Sequence, residues 1–113
     1  MLRFITALII IPILDSPWIL YNGTALFDKI QGSPVKFSLL PAGVVYVALA
    51  YLLTQFTSAW DAFKGGAAVY AVYDFTNLAV FKNYTLAFAV QDTLWGGILF
   101  ATAFTLLELI LNK

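Results

Sequence analysis

GGAAVYAVYDFTNLAVF, residues 65–81, is an apolar stretch of membrane-spanning length with a carboxylate, Asp74, in its middle. Placing an aspartate at the centre of a lipid-embedded helix costs on the order of 2.5–3.5 kcal/mol, so the residue needs either a compensating partner or a use. Two further aspartates repeat the pattern: Asp15 interrupts the apolar run 2–21, and Asp92 interrupts the run 86–111. A fourth run, 37–56, carries no charge. A span needs about 20 residues, with a tolerated range of about 17–25, so the third run sits at the short limit and the fourth in chain order is long enough to tilt or project.

Composition sets the solvent. Hydrophobic residues make up 62% of the 113, aromatics 17% and charged residues 11%, with a mean hydropathy of +0.89. An ordinary soluble domain has roughly 45–50% apolar and roughly 25% charged residues. The chain therefore reads as an integral membrane protein of a single transmembrane domain, 1–113. Six basic residues balance six acidic ones, which leaves no surplus positive charge for nucleic acid. Cysteine and histidine are absent, which excludes disulfides, thiol chemistry and the usual zinc and haem ligand sets. There is no Gly-rich phosphate loop and no nucleophile–base set, so an enzyme is not expected and no cofactor or metal is implied.

The fold class predicted is all-α. Barrel strands alternate at period two, whereas these runs are apolar on nearly every side, as helices in a bundle are. Pro12, Pro17 and Pro41 are expected to bend the first two helices or to mark their ends. Between those helices, Thr24 is placed to cap a short interfacial helix with Leu26, Phe27 and Ile30 on one side and Asp28, Lys29 and Gln31 on the other, stopped by Gly32-Ser33-Pro34. The connections 57–64 and 82–85 are short enough to make successive helices antiparallel neighbours. The segment Thr57-Ser58-Ala59-Trp60-Asp61 reads as an interface turn anchored by Trp60, and Glu108, near a helix end, as snorkelling to water.

The expected topology is an up-down-up-down four-helix bundle, multi-pass, with both termini on one side. The first run lacks a small-x-small cleavage site after Leu14 and is read as retained. Orientation is undecided, because Arg3, Lys64 and Lys113 on the terminal side tie with Lys29, Lys36 and Lys82 opposite. Asn22-Gly23-Thr24 and Asn83-Tyr84-Thr85 are glycosylation triplets, but both lie close to the membrane and chance occurrence is the better explanation.

Depth makes a layer of the three acids. At 1.5 Å per residue, Asp15 lies roughly 9 Å before the end of the first run, Asp74 roughly 10 Å before the end of the third, and Asp92 roughly 9 Å after the start of the fourth. Antiparallel topology puts all three ends on the non-terminal face. Tyr70, Asp74 and Asn77 share one face of the third helix, with Tyr73 adjacent to Asp74. Asp15 pairs with Trp18 on the first helix, Asp92 with Trp95 on the fourth, and Tyr46 reaches the same depth from the second. No basic residue lies at that depth. Asp15, Asp74, Asn77 and Asp92 are therefore the candidates for binding a proton or a cation, with Trp18, Tyr46, Tyr70, Tyr73 and Trp95 as supporting aromatics. The competing reading is structural: acids protonated and hydrogen-bonded, serving only helix packing.

The run Tyr73-Asp74-Phe75-Thr76-Asn77-Leu78-Ala79, followed by Lys82 and by Asp92-Thr93-Leu94-Trp95-Gly96, resembles the core of an uncharacterised family of small predicted membrane proteins, domain of unknown function two-one-seven-seven. Asp15-x-x-Trp18 is similar to its first-helix motif. The resemblance implies four transmembrane helices and brings no activity. The resulting expectation is a small membrane protein whose carboxylate layer serves transport or sensing, embedded in the lipid bilayer as a homo-oligomer or as a subunit of a larger assembly. The alternative is a membrane scaffold or accessory subunit.

Overall fold

The computed structural model describes residues 1–112; Lys113, one of the basic residues counted on the terminal side, lies outside the described residues. Four helices account for the fold: α1 Leu2–Gln31, α2 Leu39–Leu53, α3 Ala59–Val80 and α4 Leu86–Leu111. No strand occurs among the described residues.

The first helix differs from the two segments expected of it. It is one rod of 30 residues, α-helical over Leu2–Trp18, π-helical over Ile19–Gly23 and α-helical again over Thr24–Gln31. Pro12 and Pro17 sit inside it without ending it. Pro17 has no N–H and crowds the carbonyl four residues back, and the chain leaves α spacing directly after it, in the wide π turn. One inserted residue rotates everything beyond it by about 100°. Thr24 consequently caps no separate helix, and its hydroxyl instead donates to the Ile19 carbonyl at 3.3 Å. The rotated end turns Leu26 and Phe27 onto Tyr84 and Phe88. Gly32, at φ 80°, supplies the left-handed stop that its sequence position suggests.

The third helix begins earlier than the apolar run does. Ser58 caps it by accepting the Asp61 N–H at 3.1 Å, so Trp60, Asp61 and Lys64 form its first turns and not an interface turn. Trp60 stacks on Phe63, with Lys64 over its ring. Thr85 caps α4 in the same way, accepting from Phe88 N–H at 3.1 Å. Ser58→Ala and Thr85→Ala are each expected to cost about 1 kcal/mol, read as a lower unfolding midpoint in detergent. Pro41 falls in the first turn of α2, where its missing N–H costs no helical bond.

Small residues decide which helices meet. Helices α3 and α4 form the closest pair. A Cβ on Gly66 would collide with the Gly96 carbonyl oxygen and stand 2.7 Å from Phe100 Cβ, while Gly96 lies under the Tyr70 ring and Gly97 under Phe63. In lipid, where apolar side chains gain little from meeting one another, such close backbone approach is a main source of helix association. Helix α1 packs on α2 and α4, whereas α2 touches α4 lightly and makes at most slight backbone contact with α3. One buried cluster gathers Ile11, Leu53, Leu99, Phe100 and Leu107, and a second gathers Leu26, Tyr84 and Phe88. Along both α1 and α4 the aspartates fall between these clusters. Outward-facing Ile5, Ile9, Ile13, Val44, Val72 and Ile98 are exposed, as lipid contacts require.

Helices α1 and α4 are long and apolar enough to cross a membrane. Helix α2 is apolar but has only 15 residues. Helix α3 has 22, diluted by Asp61, Lys64, Asp74 and Asn77.

Candidate functional site

Asp15 is only 3% exposed and accepts a hydrogen bond from each of the other three helices. The Tyr46 hydroxyl of α2 donates to Oδ2 at 3.0 Å, and the Tyr70 hydroxyl of α3 and the Trp95 indole of α4 donate to Oδ1 at 3.3 and 2.8 Å. Asp92 accepts from the Trp18 indole at 2.6 Å. The acid–tryptophan pairs are thus exchanged between helices: Trp18 of α1 serves the acid of α4, and Trp95 of α4 serves the acid of α1. Helical spacing shows which residues share a face, but a long indole on a facing side reaches the neighbouring helix more readily than its own. The two indoles stack, with centroids 5.2 Å apart and planes inclined by 12°.

Asp74 is wholly buried. Its Oδ1 accepts from the Tyr84 hydroxyl at 2.5 Å, its Oδ2 has no donor, and its carboxyl lies within hydrogen-bonding reach of that of Asp92. Tyr84, in the connection between α3 and α4, is a site residue that helical periodicity does not find. Only its place, a tyrosine in the tight turn on the face toward which the acids lie, could have pointed to it. Burial first, and then its bond to Asp74, push the Tyr84 phenol well above the usual tyrosine range, so it remains a donor at physiological pH.

Asn77 and Tyr73 are less central than their spacing suggests. The Asn77 side chain lies near the Tyr73 and Tyr84 hydroxyls, and among the described residues no hydrogen bond joins it to a carboxylate. Tyr70, read as a neighbour of Asp74, instead serves Asp15. Tyr73 is half exposed.

The partners of the buried acids are neutral donors or another acid. The ion pairs among the described residues are Arg3–Glu108, at 2.9 Å, and Lys64–Asp61, at 3.3 Å, and neither includes a buried carboxylate. Glu108, expected to snorkel to water, is partly exposed and is also held by Arg3 and Asn112. No group of three acids among the described residues is placed to hold a metal ion. A cavity of about 690 Å³ opens beside the layer, with Asp15, Trp18, Tyr46, Tyr70 and Asp92 among its lining residues; α1 and α2 supply most of its wall, and α3 and α4 the rest.

A model of the family described as predicted membrane protein (DUF2177) matches residues 1–108. The chain belongs to that family. The match spans all three aspartates and their donors, and the DUF2177 description names a membrane protein without an activity. No curated protein and no solved structure matches the chain.

Proposed function

We propose that the chain is a four-span membrane protein whose Asp74–Asp92 pair holds an exchangeable proton or organic cation, in transport or sensing. The observation that carries this reading is a pair of carboxyls within reach of each other in an apolar interior, with no basic partner. Two adjacent negative charges in such a place repel strongly, so a positive charge has to sit between them. The chain provides none there, and a charge taken from outside is one that can be released again. A proton fits best, because one proton converts one acid into a donor for the other and gives the orphaned Asp74 Oδ2 a partner.

The proposed topology is up-down-up-down, with both ends on one face. The 2.9 Å contact between Arg3 at the start of α1 and Glu108 at the end of α4 supports it. A bundle this small leaves little room for a permeation path, so the working unit is proposed to be an oligomer.

A second reading applies to Asp15. Its bonds to Tyr46, Tyr70 and Trp95 join all four helices, which is the work of a structural hub and needs no exchange. The two roles separate experimentally. In Asp74→Asn the amide oxygen still accepts from Tyr84 and the amide N–H₂ donates permanently to Asp92, so the fold is retained and the exchangeable charge is lost. Parent protein in dye-loaded vesicles is expected to show pH- or cation-dependent flux, or a pH-dependent change in Trp18 emission if it is a sensor, and Asp74→Asn neither. Parent protein without flux and with emission indifferent to pH would remove the reading in favour of a scaffold.

A further inference from the structure

We infer that the cleft bordered by α1, α2 and α3 binds a lipophilic cation, a molecule with an apolar body and a single positive charge, admitted sideways from the bilayer. The inference rests on the exchangeable-charge reading above and names the class of ligand that would use the same layer.

Its volume, about 690 Å³, falls within the roughly 300–1,000 Å³ of small-molecule sites. It is a gap between helices. Helix α2 packs on α1 and makes at most slight backbone contact with α3, and all three line the space. Val45 and Leu49 line it from α2, and Val69 and Tyr73 from α3. Val45 is 53% and Tyr73 49% exposed, so the rim is accessible from the lipid side. The π turn of α1 adds Ile19, Leu20 and Gly23 to the wall, which the rotation after Pro17 makes possible.

The polarity at the cleft's inner end selects the charge. Asp15 and Asp92 are its carboxylates, Trp18, Tyr46 and Tyr70 its other polar side chains apart from Ser16 and Tyr73, and no Lys or Arg lines it. Neutral donors orient a carboxylate without cancelling its charge, so the inner end attracts cations and repels anions. The Trp18 and Tyr rings add favourable surfaces for an organic cation. The absence of any three acids placed to hold a metal ion, among the described residues, turns the choice away from a bare divalent ion.

Two probes of one shape and opposite charge test this. Full-length protein in nanodiscs is expected to bind radiolabelled tetraphenylphosphonium saturably and to bind tetraphenylborate at least tenfold more weakly. Asp92→Asn and Val45→Trp should each weaken tetraphenylphosphonium at least tenfold. Val45 is exposed on the cleft rim and carries none of the hydrogen bonds to the acids, so its replacement fills the space without removing a group of the carboxylate layer and serves even if the Asp92 variant folds poorly. Equal binding of the two probes, binding unchanged by Val45→Trp, or no saturable binding would each overturn the cleft proposal. Flux without tetraphenylphosphonium binding would sink the cleft and leave the proton pair standing. Asp92-dependent binding without flux would support the cleft and end the case for transport.

Discussion

Gly66→Ala is expected to destabilise the protein by about 3 kcal/mol, the upper end of the usual overpacking cost. The added methyl would meet the Gly96 carbonyl oxygen and Phe100 Cβ, neither of which is the free end of a flexible side chain. The two helices would have to move apart. Because Tyr70 is seated over Gly96, that movement would also pull its hydroxyl from Asp15. Gly43, with nothing within 4 Å of a built Cβ, is the matched control. Gly43→Ala should be neutral or stabilising by about 0.4–1 kcal/mol, through the unfolded state and helix propensity. Thermal unfolding midpoints in one detergent compare them directly. A Gly66→Ala protein as stable as the Gly43→Ala protein would show that the α3–α4 contact is not what holds the bundle.

Asp15→Ala is expected to be about as damaging, at roughly 3–5 kcal/mol, for a different reason. It removes one acceptor and strands three donors on three helices, and each buried donor left without a partner costs about 1–3 kcal/mol. Tyr46, Tyr70 and Trp95 are all partly buried and can recover some of that loss. Asp15→Asn keeps a carbonyl acceptor and should lose only about 1 kcal/mol, since hydrogen bonds to a neutral group are weaker than those to a charged one. Both variants should also shift the emission of Trp95, whose indole donates to Asp15 at 2.8 Å. If Asp15→Ala unfolds at the parent midpoint, the hub description of Asp15 is wrong. Asp74→Asn, by contrast, is expected to alter proton or cation handling and to leave the midpoint unchanged. Stability and exchange would then divide between two acids of the same layer.

The acid layer was legible in the sequence because a carboxylate in an apolar run is costly wherever it stands, and helical rise converts residue number into depth. That reasoning places Asp15, Asp74 and Asp92 near one another, and the structure brings their carboxyls and tryptophans together. Capping was less legible. Ser58 and Thr85 lie at the ends of α3 and α4, but the apolar run alone starts the third helix at 65, since hydropathy does not register a polar first turn. The π turn was illegible, because Pro17 raises the expectation of a bend or an end and does not indicate that the helix absorbs the strain by widening.

The sequence by itself determined an all-α chain suited to lipid and three acids without a basic partner at their depth. These follow from composition and periodicity, which depend only on the order of residues along the chain; the resemblance to a membrane-protein family rests instead on specific motifs around the aspartates. Tertiary structure alone decided which donor serves which acid: the exchange of Trp18 and Trp95 between helices and the recruitment of Tyr84 from a turn; it also decided the open space bordered by α1, α2 and α3. Such pairings depend on how far one helix stands from another. That distance is set by glycines packed against a neighbouring backbone at α3–α4 and by the lack of such packing at α2–α3, contacts between residues that no local pattern connects.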